Sequence, residues 1–116
     1  MTVEKLVRYL ETGSAPAGLF AQDVFADLTL PHWRVQAADA EGLLALRAGF
    51  HPYPGVVRLE RVVATDHGFV LEFEERWMDG GQAWYSREML RAELDGGLVT
   101  ELSVYCTGDW DEARQR

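Results

Sequence analysis

The stretch Val56–Cys106, VVRLERVVATDHGFVLEFEERWMDGGQAWYSREMLRAELDGGLVTELSVYC, decides the fold. It divides into four long apolar-rich runs: Val56–Thr65, Gly68–Met78, Gln82–Leu94 and Leu98–Cys106. Between them lie Asp66-His67, Asp79-Gly80-Gly81 and Asp95-Gly96-Gly97. Asp-Gly and Gly-Gly pairs between extended runs signal hairpins, because these residues tolerate the positive φ of tight turns. Four strands joined only by tight turns predict an antiparallel meander. The residues before it must supply whatever covers the sheet.

Side chains alternate along a strand, so its two faces can be read off residue by residue. In the second run Phe69, Leu71, Phe73, Glu75 and Trp77 share one face, and Val70, Glu72, Glu74, Arg76 and Met78 the other. The first set is the inner one. A two-residue turn at Asp79-Gly80 or Gly80-Gly81 then places Trp84, Ser86, Glu88, Leu90, Ala92 and Leu94 inside. A three-residue turn would instead bury Arg87 and Arg91, at higher cost. In the fourth run the apolar set is Leu98, Thr100, Leu102, Val104 and Cys106. Facing it inward predicts a three-residue turn with a glycine bulge at Asp95-Gly96-Gly97.

Upstream, Val3, Leu6, Val7 and Leu10 form the stripe of a short helix with Thr2 as N-cap, ended by Gly13-Ser14. Val24–Leu30 reads as a strand stopped by Pro31, with Trp33–Gln36 as a short partner. Asp39 is placed to cap a second helix in which Leu43, Leu46 and Phe50 share a face, and Pro52 prevents its continuation. The order predicts an α+β domain: N-terminal helices packed on a strongly bent antiparallel sheet, made of the meander plus short N-terminal strands. In the polar tail, Asp109 and Glu112 have capping-box spacing, but a frayed end is the simpler expectation.

The 116 residues predict one domain, 47% apolar and 26% charged. Nineteen acidic residues against eleven basic ones give a net charge of −8, which argues against nucleic acid and anionic membranes. No apolar run reaches the ~20 residues of a membrane span. The N-terminus lacks the layout of a signal peptide, and Cys106 is the single cysteine, so the expected location is cytoplasmic.

Two carboxylates, Glu75 and Glu88, fall on an otherwise apolar face. Burial of an unpaired carboxylate is costly and is relieved by a partner or by a raised pKa. A raised pKa also provides a general acid or base near neutral pH, which makes both residues catalytic candidates. The plain alternative is that Glu75 reaches water or pairs with an arginine. Trp33, Phe50, Phe73, Trp77 and Trp84 are candidate walls of a small-molecule pocket, with Leu102 beside them, though large aromatics also serve simply as core. Trp77 and Trp84 should meet near Glu75. His51, followed by Pro52 and Tyr53, is placed to gate a pocket mouth, and so is His32. No histidine has metal-ligand spacing, and no phosphate-binding loop or dinucleotide fingerprint occurs, so neither a metal nor a cofactor is expected. Cys106 reads as a small buried apolar residue.

The leading helix, Leu19-Phe20-Ala21-Gln22-Asp23-Val24-Phe25-Ala26-Asp27, a second helix, and a meander ending Leu98-Val99-Thr100-Glu101-Leu102-Ser103-Val104-Tyr105 resemble the nuclear transport factor 2-like superfamily. Within it the chain is similar to the SnoaL-like polyketide cyclase group. The resemblance implies a cone-shaped sheet around a pocket closed by helices, and a homodimer formed through the outer sheet face. On that face Val70, Met78, Tyr85, Met89 and Tyr105 are interspersed among charges. The superfamily includes ketosteroid isomerases, limonene epoxide hydrolases, aldol cyclases and silent binding modules, so fold alone does not set function. Neither the aspartate–arginine–aspartate set of the epoxide hydrolases nor the tyrosine-plus-aspartate pair of the isomerases aligns onto this sequence. Glu75 and Glu88 do fall in the region where such proteins place pocket acids. The expected function is a cyclase, isomerase or hydrolase acting on a lipophilic carbonyl or epoxide metabolite. The alternative is a non-catalytic ligand-binding or dimerising accessory module.

Overall fold

The computed structural model describes residues 1–111 and residue 113. Its elements are α1 (Thr2–Thr12), β1 (Phe20–Leu30), β2 (Trp33–Ala37), α2 (Ala40–Phe50), β3 (Gly55–Ala64), β4 (Gly68–Asp79), β5 (Gln82–Asp95), β6 (Leu98–Cys106) and β7 (Trp110–Asp111). The meander β3–β6 is antiparallel throughout. The strands form one curled, unclosed sheet in the order β2-β1-β6-β5-β4-β3, with β7 paired to β5. The sheet is mixed rather than wholly antiparallel, because β1 runs parallel to β6. That pairing joins distant segments, so no turn in the sequence announces it.

Both helices pack on the inner face. Leu6, Tyr9 and Leu10 of α1 and Leu43 of α2 join Phe69, Leu71, Phe73, Leu90 and Ala92 in the core. Asp39 caps α2 as read, its Oδ1 accepting from the Gly42 amide at 2.7 Å. Gly13 ends α1 in the left-handed region at φ 78°. The N-cap of α1, however, is Met1 and not Thr2. Thr2 lies inside the first turn, and its hydroxyl donates to the Gly97 carbonyl at 3.2 Å. The side chain thus ties the helix to the β5–β6 turn instead of capping it.

The turns settle the strand faces. Asp79 pairs with Gln82, so Gly80-Gly81 is the two-residue turn, and the inner faces of β4 and β5 follow the expected parity. The β5–β6 turn also has two residues, Gly96 and Gly97, because Asp95 pairs with Leu98. The three-residue turn is not formed. The parity change comes instead from a bulge at Thr100, between the Glu93–Glu101 and Leu94–Val99 pairs. Val99 therefore faces the core ahead of the bulge, and Leu102, Val104 and Cys106 face inward after it.

Trp110 and Asp111 pair with Tyr85 and Trp84, so the tail, after an irregular stretch at 107–109, is held to the sheet as far as Asp111 and is not frayed there. Glu112, half of the candidate capping box, lies outside the described residues. No helix among the described residues is long and apolar enough to cross a membrane.

Candidate functional site

A cavity of about 270 Å³ lies between the helices and the inner sheet face. Apolar residues dominate its walls: Leu10 of α1, Leu43 of α2, Leu28 and Leu30 of β1, Leu90 of β5, and Leu102 and Val104 of β6. Among them the sheet inserts two acids. Glu75 enters from β4, and Glu88 from β5 two residues beyond Ser86, the register partner of Glu75.

Arg47 of α2 fixes the state of both acids. It stands four residues after Leu43 and three before Phe50, on the helix face that meets the cavity. Its guanidinium donates to both oxygens of Glu75, at 2.5 and 3.1 Å, and to the Leu10 carbonyl at 3.0 Å. Burial pushes the Glu75 carboxyl up, but hydrogen bonds from Glu88 and Arg47, with the guanidinium charge, outweigh it and hold the group below its ordinary value. Glu88 goes the other way. Burial, the hydrogen bond to Glu75 and that residue's negative charge raise its pKa well above the carboxylate range. The two acids are therefore driven apart: Glu88 keeps its proton to higher pH than an ordinary carboxyl, while Glu75, clamped by Arg47, ionises more readily. Ser86 donates to Glu88 Oε2 at 2.8 Å and fixes its orientation.

Three further polar groups complete the wall. Tyr9 is 2% exposed, burial drives its pKa to about 12, and its hydroxyl has no hydrogen-bond partner among the described residues. His51 Nε2 lies 4.0 Å from Glu75 Oε1. Burial and the Arg47 charge lower the pKa of this imidazole, which is neutral at physiological pH. Asp109, at the mouth, has a pKa raised by burial and by the charge of Glu75.

The candidates read from the sequence divide by depth along the strands. Glu75, Glu88, Trp33, Phe50, His51 and Leu102 line the cavity, as does His32. Phe73 is in the core at 1% exposure. Trp77 meets the His51 ring edge-on at 4.5 Å and stacks with Tyr53 at 6.5 Å, and Tyr53 in turn meets His51 edge-on at 5.6 Å. Trp84 is the register partner of Trp77, but the ring contacts of Trp77 are with His51 and Tyr53. Tyr53, Phe73, Trp77 and Trp84 do not line the cavity. Arg47, Tyr9 and Asp109 are site residues that the sequence reading did not single out. Arg47 could have been found from its spacing on the apolar face of α2, and Tyr9 from its place three residues after Leu6.

No family model matches the chain, and no curated protein matches it in sequence. Solved structures do match. A hypothetical protein with a ketosteroid isomerase-like fold from Catenulispora acidiphila, in complex with trimethylamine, superposes with a TM-score of 0.75. The match covers 91% of this chain and 85% of that one at 12% identity. A nuclear transport factor 2-like protein from Anabaena variabilis gives 0.72 over 93% and 85% of the two chains at 17% identity. The chain has the nuclear transport factor 2-like fold. An LEH-like epoxide hydrolase of M. tuberculosis shares this fold with a TM-score of 0.65, over 90% of this chain and 79% of that one, at 14% identity. In the nuclear transport factor 2-like fold of this chain, the β1–β2 turn, the end of α2 and the β6–β7 segment join the curled sheet and both helices in lining the cavity that holds the carboxyl pair.

Proposed function

We propose that this protein is a small-molecule enzyme of the SnoaL-like type, in which Glu88 is the general acid toward a carbonyl or epoxide oxygen of a lipophilic metabolite. The observation that carries the proposal is a buried carboxyl, held by Ser86 and Glu75 in an apolar cavity, whose surroundings raise its pKa well above the carboxylate range. A carboxylic acid in water at neutral pH has lost its proton, and one kept neutral by its site can deliver it. The apolar walls take the hydrocarbon part of the substrate, and its oxygen approaches Glu88. With an epoxide, the C–O bond breaks as oxygen takes the proton of Glu88, water adds to carbon, and the proton released by that water returns to the carboxylate. With a ketone, the carbonyl oxygen takes the proton of Glu88 while the carboxylate of Glu75 accepts the proton leaving the α-carbon, and the enol so formed precedes isomerisation or ring closure. Arg47 stabilises the negative charge that develops on the pair, directly at Glu75 and through it at Glu88. The existence of an epoxide hydrolase with this fold supports the reading.

The test is turnover of a panel of lipophilic epoxides and enolisable ketones by the unmodified protein and by Glu88→Gln and Glu75→Gln. Glu88→Gln should reduce turnover by about 10²–10⁴-fold while leaving the fold and ligand binding intact, and Glu75→Gln should also lose turnover but destabilise the protein by stranding Arg47. Retained activity in both variants would sink the proposal.

The same reading makes the outer sheet face a homodimer surface. Met78, Met89 and Tyr105 are exposed there, beside the half-buried Val70 and Tyr85. Apolar anchors among charges suit a polar interface. Native mass spectrometry should then give twice the 13.1 kDa chain mass, and a monomer at micromolar concentration removes the interface.

A further inference from the structure

The cavity contains more acid than its arginine can neutralise. Among the described residues Arg47 is the only arginine or lysine lining it, and its charge is spent on Glu75 in a two-pronged contact. Of the remaining acids, Glu88 is driven toward its protonated form, and Asp109 is a carboxyl at the mouth whose pKa burial and the charge of Glu75 raise. Asp109 has no hydrogen-bond or ion-pair partner among the described residues, although it lines the cavity mouth. Its placement there is fixed by the backbone. Gly108, at φ 109°, lies so close to the β1–β2 turn that a Cβ on it would come within 3.1 Å of Pro31 Cγ. Asp109 is thus brought to the same mouth as Trp33.

Two aromatic rings at that mouth are left uncovered by the fold. Trp33 is 67% exposed and Phe50 is 48% exposed, yet both line the cavity. Exposed aromatics beside an unpaired carboxylate provide the two attractions that hold an organic cation: direct charge pairing and the negative face of a ring. Deeper in the same wall, the Tyr9 hydroxyl is almost fully buried and unpartnered. A buried polar group without a partner indicates a site completed by a ligand. Among the described residues no cluster of three histidine, cysteine or acidic side chains is arranged to hold a metal ion.

We infer that the ligand of this cavity is a cationic amphiphile, with an ammonium group at the mouth among Asp109, Trp33 and Phe50, and its oxygen-bearing end at Glu88. This assignment of substrate class rests on the reading of Glu88 as the acid toward that oxygen. An anionic ligand would enter against Asp109 in a chain whose net charge is already −8. An ammonium would meet two exposed rings and a carboxylate that has no partner among the described residues.

The test is calorimetric binding of three probes of similar size: benzyltrimethylammonium, its neutral isostere neopentylbenzene, and phenylacetate. The cation should bind about tenfold more tightly than the isostere, with phenylacetate the weakest. Asp109→Asn should weaken the cation by about fivefold and leave the isostere unchanged. Both Asp109 and Trp33 are exposed, so Trp33→Ala provides a second folded variant, with a loss of similar size for the cation. Equal affinities, no measurable binding of the cation, or a parallel loss of cation and isostere in Asp109→Asn overturns the inference. These readouts involve no turnover. Cation preference without any activity on epoxides and ketones refutes the general-acid reading alone. Activity on neutral substrates without cation preference refutes this inference alone.

Discussion

Arg47→Met is expected to lower the unfolding free energy by about 3–5 kcal/mol, the loss seen when one member of a buried ion pair is removed and its partner is left behind. Both side chains are largely withdrawn from water, at 15% exposure for Arg47 and 5% for Glu75. The methionine fills most of the same space, so the loss reports charge rather than a cavity. The guanidinium also satisfies the Leu10 carbonyl near the end of α1, so its removal loosens the contact between the two helices. If the pair were screened by solvent, the loss would stay within about 1 kcal/mol. Urea unfolding at neutral pH separates the two outcomes. Glu75→Gln in the Arg47→Met background should recover part of the loss, because it removes the stranded charge. The sign of the pH dependence is fixed as well. The folded-state pKa of Glu75 is depressed, so the pair stabilises the protein above the unfolded carboxyl pKa of about 4.3, and this stabilisation is lost as pH falls through the folded value. The penalty of Arg47→Met should therefore shrink in acid.

Most of the sheet was legible in the sequence, because its determinants are local. The pairs Gly80-Gly81 and Gly96-Gly97 supply the positive φ of the hairpins. The alternation Phe69, Leu71, Phe73 sets the inner face of β4, and the parity of a two-residue turn carries it into β5. Asp39 announces α2. The parts that could not be read depend on contacts between distant segments. The parallel pairing of β1 with β6 leaves no local mark. The bulge at Thr100 does the work assigned to a longer turn, and either device gives the same inner residues from Leu102 onward.

The site follows the same division. Period-2 alternation tells which face a residue is on and nothing about how far along the strand the helices cover it. The alternation therefore places Glu75, Glu88, Trp77 and Trp84 alike on the inner face, while of these only the two glutamates line the cavity. Arg47 was hidden for a different reason. Its spacing placed it on the buried face of α2, but an arginine reads as solvent-facing until a buried carboxylate is known to meet it. Tyr9 sat one residue away from the helix stripe and was passed over for Leu10. In both cases the helix geometry held the answer and residue type concealed it.

Glu88→Gln is expected to reduce turnover by about 10²–10⁴-fold, the usual worth of a positioned proton donor, while making the protein more stable at neutral pH by about 1 kcal/mol. Glutamine has the shape of the protonated acid. Its amide nitrogen can donate to Glu75 as the carboxyl does, and its oxygen can accept from Ser86, so the hydrogen bonds of the site survive. What disappears is the proton and the cost of keeping it. The folded-state pKa of Glu88 is raised, so below the unfolded value of about 4.3 both states hold the proton and the residue is neutral in its effect. Above that pH the unfolded chain ionises while the folded one does not, and stability falls until the folded pKa is reached. The advantage of Glu88→Gln should therefore be absent near pH 4 and grow toward neutrality. A constant difference across that range would mean that Glu88 titrates as an ordinary carboxyl, and there would then be no acid at neutral pH to transfer a proton. Loss of turnover with a growing stability gain separates a group kept for its chemistry from one kept for the fold. A residue retained only for structure has no reason to weaken the protein at the pH where it works.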